Sequence, residues 1–235
     1  MIELRNVVKK FGSFVAVDDI SLKIGKGEFF GFLGPNGAGK TTTIKMMTGL
    51  FRPTSGACII NGFDIQEHPV EAKRSFGYVP DQPHLYDRLT GREFLYFIGG
   101  LYKSPAEEVV ARIEHYSKLF EMEGFLDRST EEYSQGMRQR VALAAALVHE
   151  PPVLIIDEPL LGLDPRSAML VRTTLKDLTR KGLTVFMSTH LLRVVEELCD
   201  RLVIVKGGRI IYTEVLNTSP DTSGRLEEIF LEITR

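Results

Sequence analysis

Gly34-Pro35-Asn36-Gly37-Ala38-Gly39-Lys40-Thr41-Thr42 decides the reading of this chain, because it fits G-x-x-x-x-G-K-[ST], the loop that cradles nucleotide phosphates. Ahead of it stands an apolar run, Phe29-Phe30-Gly31-Phe32-Leu33, of the kind that forms a buried strand. Behind it, Thr43-Ile44-Lys45-Met46-Met47-Thr48-Gly49 reads as a helix ended by glycine. Strand, loop and helix in that order aim backbone N–H groups, and the positive end of a helix dipole, at one anion. The glycines let the backbone take unusual angles and approach the phosphates closely. Lys40 is expected to reach the outer phosphates, and the Thr41 hydroxyl to complete the coordination of a magnesium ion. The stretch predicts binding of ATP or GTP.

A second feature stands far downstream. Val153-Leu154-Ile155-Ile156-Asp157-Glu158 is an apolar strand ending in two acids. A nucleotide site needs a carboxylate at a strand terminus to hold magnesium, and Asp157 suits that role. Glu158 then points to where a water could attack the terminal phosphate, and could orient or deprotonate it. Two acids at a strand end are common on their own; joined to the phosphate loop they gain meaning.

The rest of the chain frames these two features. Residues 2 to 34 alternate in β fashion, with Val15-Ala16-Val17 and Ile20 to Ile24 separated by Asp18-Asp19. Short strands are predicted at Ala57 to Ile60 and Phe76 to Val79. From Thr90 to Leu126 the pattern is helical. Helix–strand alternation resumes with strands at Val153, Thr184 and Leu202, and Lys206-Gly207-Gly208-Arg209 reads as a hairpin turn. Residues 214 to 224 read as loop, and a short terminal helix carries Leu226, Ile229, Phe230 and Ile233. The expected architecture is α/β: a mainly parallel core, an antiparallel β portion at the front and a helical insert in the middle.

Composition narrows the function classes. At 235 residues, with 43% apolar and 26% charged residues, the chain is an ordinary globular protein with room for a substantial core. A net charge of -2 gives no reason to expect wholesale binding to nucleic acid or an acidic membrane surface. Cys58 and Cys199 stand far apart and form no C-x-x-C pair, which argues against zinc and for a reducing, cytosolic setting. No signal peptide is expected at Met1 to Arg5, and no run approaches the roughly 18 apolar residues that span a bilayer. If this chain works at a membrane, a partner must anchor it.

Three further segments carry a family resemblance. Tyr133-Ser134-Gln135-Gly136-Met137 resembles the L-S-G-G-Q signature of ABC transporter ATPases; Leu161-Gly162-Leu163-Asp164-Pro165 resembles their D-loop; Ser188-Thr189-His190 resembles their switch-histidine segment. Order and spacing cover nearly the whole chain, so residues 1–235 are identified as a nucleotide-binding domain of that family, a P-loop NTPase core with a helical insert at about 84–148 and a terminal helix at about 225–235. The chain looks most like stand-alone ATPase subunits of bacterial exporters. The resemblance implies ATP and Mg2+ as cofactors, a separate integral membrane permease as partner, and a cytoplasmic position on the inner face of the cell membrane. It also implies a second ATP-binding subunit, in a homodimer or a heterodimer, and no nucleic acid. Each ATP would lie between one subunit's phosphate loop and the other's Ser134-Gln135-Gly136 helix terminus, with Asp164 beside it. His190 would contact the γ-phosphate, and Phe11 would stack on adenine. A soluble ABC-type ATPase acting on nucleic acid or the ribosome is the alternative. It usually carries a coiled-coil insertion or tandem cassettes, neither of which fits this pattern.

This sequence departs from the family pattern in places. Gln135 and Met137 stand where the signature has a glycine and its closing glutamine, and Leu160-Leu161 replaces a small polar pair. After Pro80 comes Asp81, where the family usually has a magnesium-side glutamine; Gln82 follows one place later. Asp81 is the favoured metal contact, because hard cations accept carboxylate oxygen, with Gln82 as the other candidate. The insert carries Tyr86, Phe94, Tyr96, Phe97, Tyr102, Tyr116 and Phe120. One face is expected to pack on the core, and another, near Pro83 to Tyr86, to receive a permease helix.

Overall fold

The computed structural model describes residues 1–216 and 223–234. Two sheets are built from strands β1 (Ile2–Phe11), β2 (Phe14–Ile24), β3 (Phe29–Leu33), β4 (Ser55–Ile60), β5 (Phe63–Asp64), β6 (Phe76–Val79), β7 (Val153–Asp157), β8 (Thr184–Thr189), β9 (Arg201–Lys206) and β10 (Arg209–Val215). The smaller sheet runs β2-β1-β4-β5, with every neighbouring pair antiparallel. The larger runs β10-β9-β3-β8-β7-β6; it is parallel except for the β9–β10 hairpin at its edge. Asp18-Asp19 does not break β2 as the sequence suggested. A β-bulge absorbs the irregularity, with Asn6 and Asp19 in the left-handed region that short polar side chains tolerate.

Helices α1 (Lys40–Met47), α2 (Pro69–Arg74), α3 (Gly91–Leu101), α4 (Ala106–Leu119), α5 (Gln135–Leu147), α6 (Pro165–Arg180), α7 (Leu192–Leu198) and α8 (Ser223–Thr234) complete the chain. The predicted 214–224 loop is shorter than expected, since Glu214 and Val215 end β10 and α8 opens at Ser223; residues 217–222 and the Ile233 side chain lie outside the described set.

The pleat of the parallel strands divides the core. Phe30, Phe32, Val153, Ile155, Phe186, Val203 and Val205 face α1 and the antiparallel sheet. Their neighbours Phe29, Leu33, Leu154, Ile156, Val185, Met187, Leu202 and Ile204 face α3 to α7. Alternate side chains thus bury on opposite faces, so these strands read as continuous apolar runs. The sheet is sealed on both sides, and what remains open is its carboxyl edge. There the ends of β3, β7 and β8 lie in register, with Leu33 opposite Thr189 and Asp157 opposite Ser188.

The helical insert is anchored at its base by His149. Its ring stacks on Tyr102, with centroids 3.6 Å apart, and its Nε2 lies 3.2 Å from the Phe76 carbonyl oxygen, so Nε2 carries the hydrogen. Burial pushes its pKa down to about 4, against the partial support of that carbonyl. The unfolded chain, with an ordinary histidine near 6.5, therefore takes up the proton first. The stability from neutral His149 is complete above about pH 6.5 and drains away as pH falls towards 4. Between pH 7 and 5 the native chain should lose about 4–8 °C more in Tm than His149→Phe, the scale of roughly 2 kcal/mol of proton linkage at this size. Parallel Tm curves for the two proteins would contradict the assignment.

Candidate functional site

The phosphate loop leaves β3 and enters α1 without a side-chain cap. Gly39 holds the N-cap position at φ +104°, and a Cβ there would sit 2.6 Å from the Ala16 carbonyl oxygen, so glycine is required twice over. The first helical bond runs from the Thr43 N–H to the Gly39 carbonyl. The N–H groups of Lys40, Thr41 and Thr42 precede it and have no helical acceptor, as helix geometry demands. Gly34 and Ala38 are buried behind the loop, and Ala38's carbonyl accepts from the Gly208 N–H. Lys40 is buried and bent over the loop, donating to the carbonyls of Gly34 at 2.7 Å and Pro35 at 3.2 Å. Desolvation lowers its pKa, while Glu158 and Asp157 nearby oppose the shift. Its ammonium is thus a preformed cation beside a row of unspent N–H donors.

Asp157, the last residue of β7, is only 1% exposed. Thr41 donates to its Oδ2 at 3.0 Å, and the Ser188 hydroxyl donates to its Oδ1. Burial raises its pKa, with Asp81 and Glu158 adding like charge, while the two hydroxyls hold it down. Such a carboxylate stays buried because its oxygens are hydrogen-bonded. Glu158 follows at φ +48°, an uncommon angle for a residue with a Cβ, and its N–H is fixed by the Ser188 carbonyl. Its carboxylate is clamped on both oxygens: His190 Nδ1 lies 2.8 Å from Oε1, and the Thr189 hydroxyl donates to Oε2 at 2.9 Å. Lys40 Nζ stands 4.0 Å from the same Oε1.

Lys40, Asp157, Glu158 and His190 share one cleft of about 570 Å³, lined also by Asn36, Gly37, Gly39, Thr41, Thr42, Phe14, Ala16, Asp81 and Leu161. Most residues singled out in the sequence come together here. Between the two candidates after Pro80, Asp81 lines the cleft and Gln82 is not among its described lining residues. Phe11 also stands apart, edge-on to Phe51 and beneath the Lys9 ammonium. The aromatic on the cleft is Phe14, 64% exposed and paired with Phe11 across the β1–β2 turn. The motif pattern pointed to the first aromatic of that turn, and nothing in the sequence separated the two. The clamp hydroxyls of Ser188 and Thr189 were visible merely as company for His190.

Ser134, Gln135, Gly136 and Asp164 form a second group that does not line this cleft. Ser134 caps α5, its side chain accepting from the Met137 N–H at 3.3 Å, and Asp164 caps α6 through the Ser167 N–H at 3.0 Å. The Ser167 hydroxyl, and after it that N–H, lowers the Asp164 pKa. The two helix starts abut at Gly136, where a Cβ would sit 2.9 Å from Ser167 Oγ.

A phosphate loop at the carboxyl edge of a parallel sheet, with a buried carboxylate and a clamped glutamate beyond it, defines a nucleotide-hydrolysing cassette. The model of the ABC transporter family matches residues 17–161. The ABC transporter ATP-binding protein NatA of Bacillus subtilis (strain 168) is 40% identical over 219 residues, 92% of this chain and 89% of its own. The linearmycin resistance ATP-binding protein LnrL of the same organism is 38% identical over 229 residues, 96% of this chain and 72% of its own. The post-hydrolysis dimer of the ATP-binding cassette MJ0796, bound to ADP and Pi, matches with a TM-score of 0.83 at 30% identity, over 92% of this chain and 99% of that one. The chain belongs to the ABC transporter family and is one of its ATP-binding, ATP-hydrolysing subunits.

Replacing Lys40 with alanine should weaken ATP binding about 10- to 150-fold, the worth of roughly 1.5–3 kcal/mol for a charge-assisted contact. Titration calorimetry reads this directly, and an unchanged affinity would contradict the placement of Lys40 on the phosphates.

Proposed function

We propose that two copies of this chain, acting as one cassette each over residues 1–235, sandwich two ATP molecules and drive a membrane exporter from its cytoplasmic face. One observation carries the reading: Lys40, Asp157, Glu158 and His190 converge on a single cleft, while the signature end of α5 lies outside it. A second copy supplies what one copy lacks, a helix N-terminus facing the outer phosphate. Leu161 and Leu191 are exposed apolar side chains, Leu161 on the cleft and Leu191 next to His190, a placement that suits an interface which closes. The resistance named for LnrL supports export. MJ0796, seen as a dimer with ADP and Pi, supports the pairing.

Magnesium fits the donor set. Among the described residues no three His, Cys, Asp or Glu side chains gather into a metal cage. Magnesium asks for less, one or two protein oxygens with phosphates and water completing its shell. Thr41 Oγ1 and Asp157 Oδ2, 3.0 Å apart, supply them, with Asp81 across the cleft. Magnesium would neutralise phosphate charge there. The chain's own residues do the rest: Lys40 and the α1 N–H groups hold the phosphates, and Glu158 accepts the proton of the attacking water. His190 and Thr189 keep the Glu158 carboxylate pointed into the cleft.

The partner-facing side is the insert at about 84–148. Leu50, Tyr78, Pro83, His84, Phe94 and Tyr102 help to line an apolar groove of about 380 Å³. Phe94, Tyr116 and Phe120 are buried in the core, whereas Tyr86, Tyr96 and Phe97 are exposed. A short permease helix in this groove would touch Pro80 and Pro83, which flank Asp81-Gln82, and so feel the state of the cleft.

Glu158→Gln keeps shape and removes the base, so ATP turnover should fall by about 10²-fold or more. With magnesium and ATP that variant should elute as a dimer in size exclusion; near-normal turnover would sink the assignment of Glu158. Asp81→Ala should lower ATPase activity or its stimulation by the permease more than Gln82→Ala does. Equal, unaltered activity in both would remove this segment from the coupling path.

A further inference from the structure

Gln135 occupies a signature position where the family pattern has glycine, and its side chain is not idle. Its Nε2 donates to the Leu161 carbonyl at 2.9 Å. The same amide lies flat against Gly162, where a Cβ would sit 2.6 Å from Nε2 and 2.7 Å from Oε1; Gly162 itself adopts φ +72°. No other side chain fits at 162 without pushing the amide away.

The segment held in this way matters. It runs from Glu158 to Asp164, the cap of α6; between those two anchored ends, Leu160 and Leu163 pack on the core and two backbone bonds of 3.2 and 3.4 Å run from Leu161 N–H to Glu158 carbonyl and from Leu163 N–H to Leu160 carbonyl. Leu161 lines the nucleotide cleft beside Glu158. At the other end of the contact, Gln135 is the first residue of α5, directly after its cap Ser134. One hydrogen bond therefore joins the start of the signature helix to the loop that follows the subunit's own hydrolytic glutamate. A glycine at 135 could make no such bond.

We infer that Gln135 is a positioning residue that couples the two nucleotide sites of the pair: ATP held by the α5 N-terminus of one subunit sets, through Gln135 and Leu161, the loop beside that subunit's own Glu158. The inference rests on the two-copy reading above. In that arrangement α5 meets the partner's nucleotide while Leu161 borders its own, so the contact links sites that share no ligand. A shift of α5 on closure is passed to the Leu161 carbonyl and the left-handed Gly162 hinge next to it.

Gln135→Met tests this, since methionine keeps the length of the side chain and loses the amide donor. Three measurements on the full chain separate the outcomes. In the nucleotide-free variant, hydrogen exchange at Leu161 to Asp164 should quicken several-fold while Tm and ATP affinity of the isolated subunit stay unchanged. The wild type should hydrolyse ATP cooperatively, with a Hill coefficient of up to about 2 for two sites. In Gln135→Met the coefficient should fall towards 1, and kcat should drop roughly 5-fold or more, the low end of coupling between sites. A merely structural contact would lower Tm and leave the Hill coefficient alone, which would overturn the inference. Cooperativity and kcat retained in the variant would also overturn it, with the two-copy reading intact. A wild type that shows neither cooperativity nor any ATP-dependent dimer would overturn the two-copy reading and this coupling with it.

Discussion

Two hydroxyls, Thr41 from the first turn of α1 and Ser188 from β8, hold the buried carboxylate of Asp157 at the end of β7. Three separate elements meet at that one anion. The carboxylate is driven up in pKa by burial and by the neighbouring charges of Asp81 and Glu158, and survives in the interior because both oxygens accept hydrogen bonds. Its position fixes the distance between the phosphate loop and the sheet. Lys40 follows, bent towards the Glu158 oxygen, and so does Glu158, whose N–H is tied to the Ser188 carbonyl. The chemistry of the cleft is assembled around a negative charge that asks for a cation.

The sheet explains why this assembly lies at an open edge. Helices and the antiparallel sheet cover both faces, so strand ends are the remaining place where backbone and side chains can meet a ligand. The same packing leaves the start of α5 on another part of the surface, with its cap Ser134 satisfied locally by Met137. On the proposed two-copy reading, a half-site on one copy and a helix terminus on the other make bound nucleotide part of the interface, and hydrolysis would remove the phosphate that bridges them and loosen the pair.

Much of this was legible in the chain. The run Phe29 to Leu33 and the loop after it could be read together, because a buried parallel strand is continuous in apolar residues and the glycines punctuate its end. Asp157-Glu158 was legible for the same reason, as acids terminating an apolar run. The bulge at Asp18-Asp19 was not, because two acids in a row look like a turn until the partner strand β1 is seen to share the irregularity. Nor was it legible that Phe14 lines the cleft while Phe11 packs against Phe51 beneath the Lys9 ammonium. Gln135 could be seen as a departure from pattern, but its acceptor, 26 residues downstream, becomes a neighbour solely through the packing of α5 against the start of α6.

The central claim is that one nucleotide is held by the phosphate loop of one copy and the α5 terminus of the other. Hydrogen exchange with magnesium and a non-hydrolysable ATP analogue measures both ends at once. The account predicts slowed exchange at Gly37 to Thr42 and, in the same complex, at Gln135 to Met137, with the second protection lost on dilution to monomer. Protection confined to the phosphate loop at every protein concentration would contradict it.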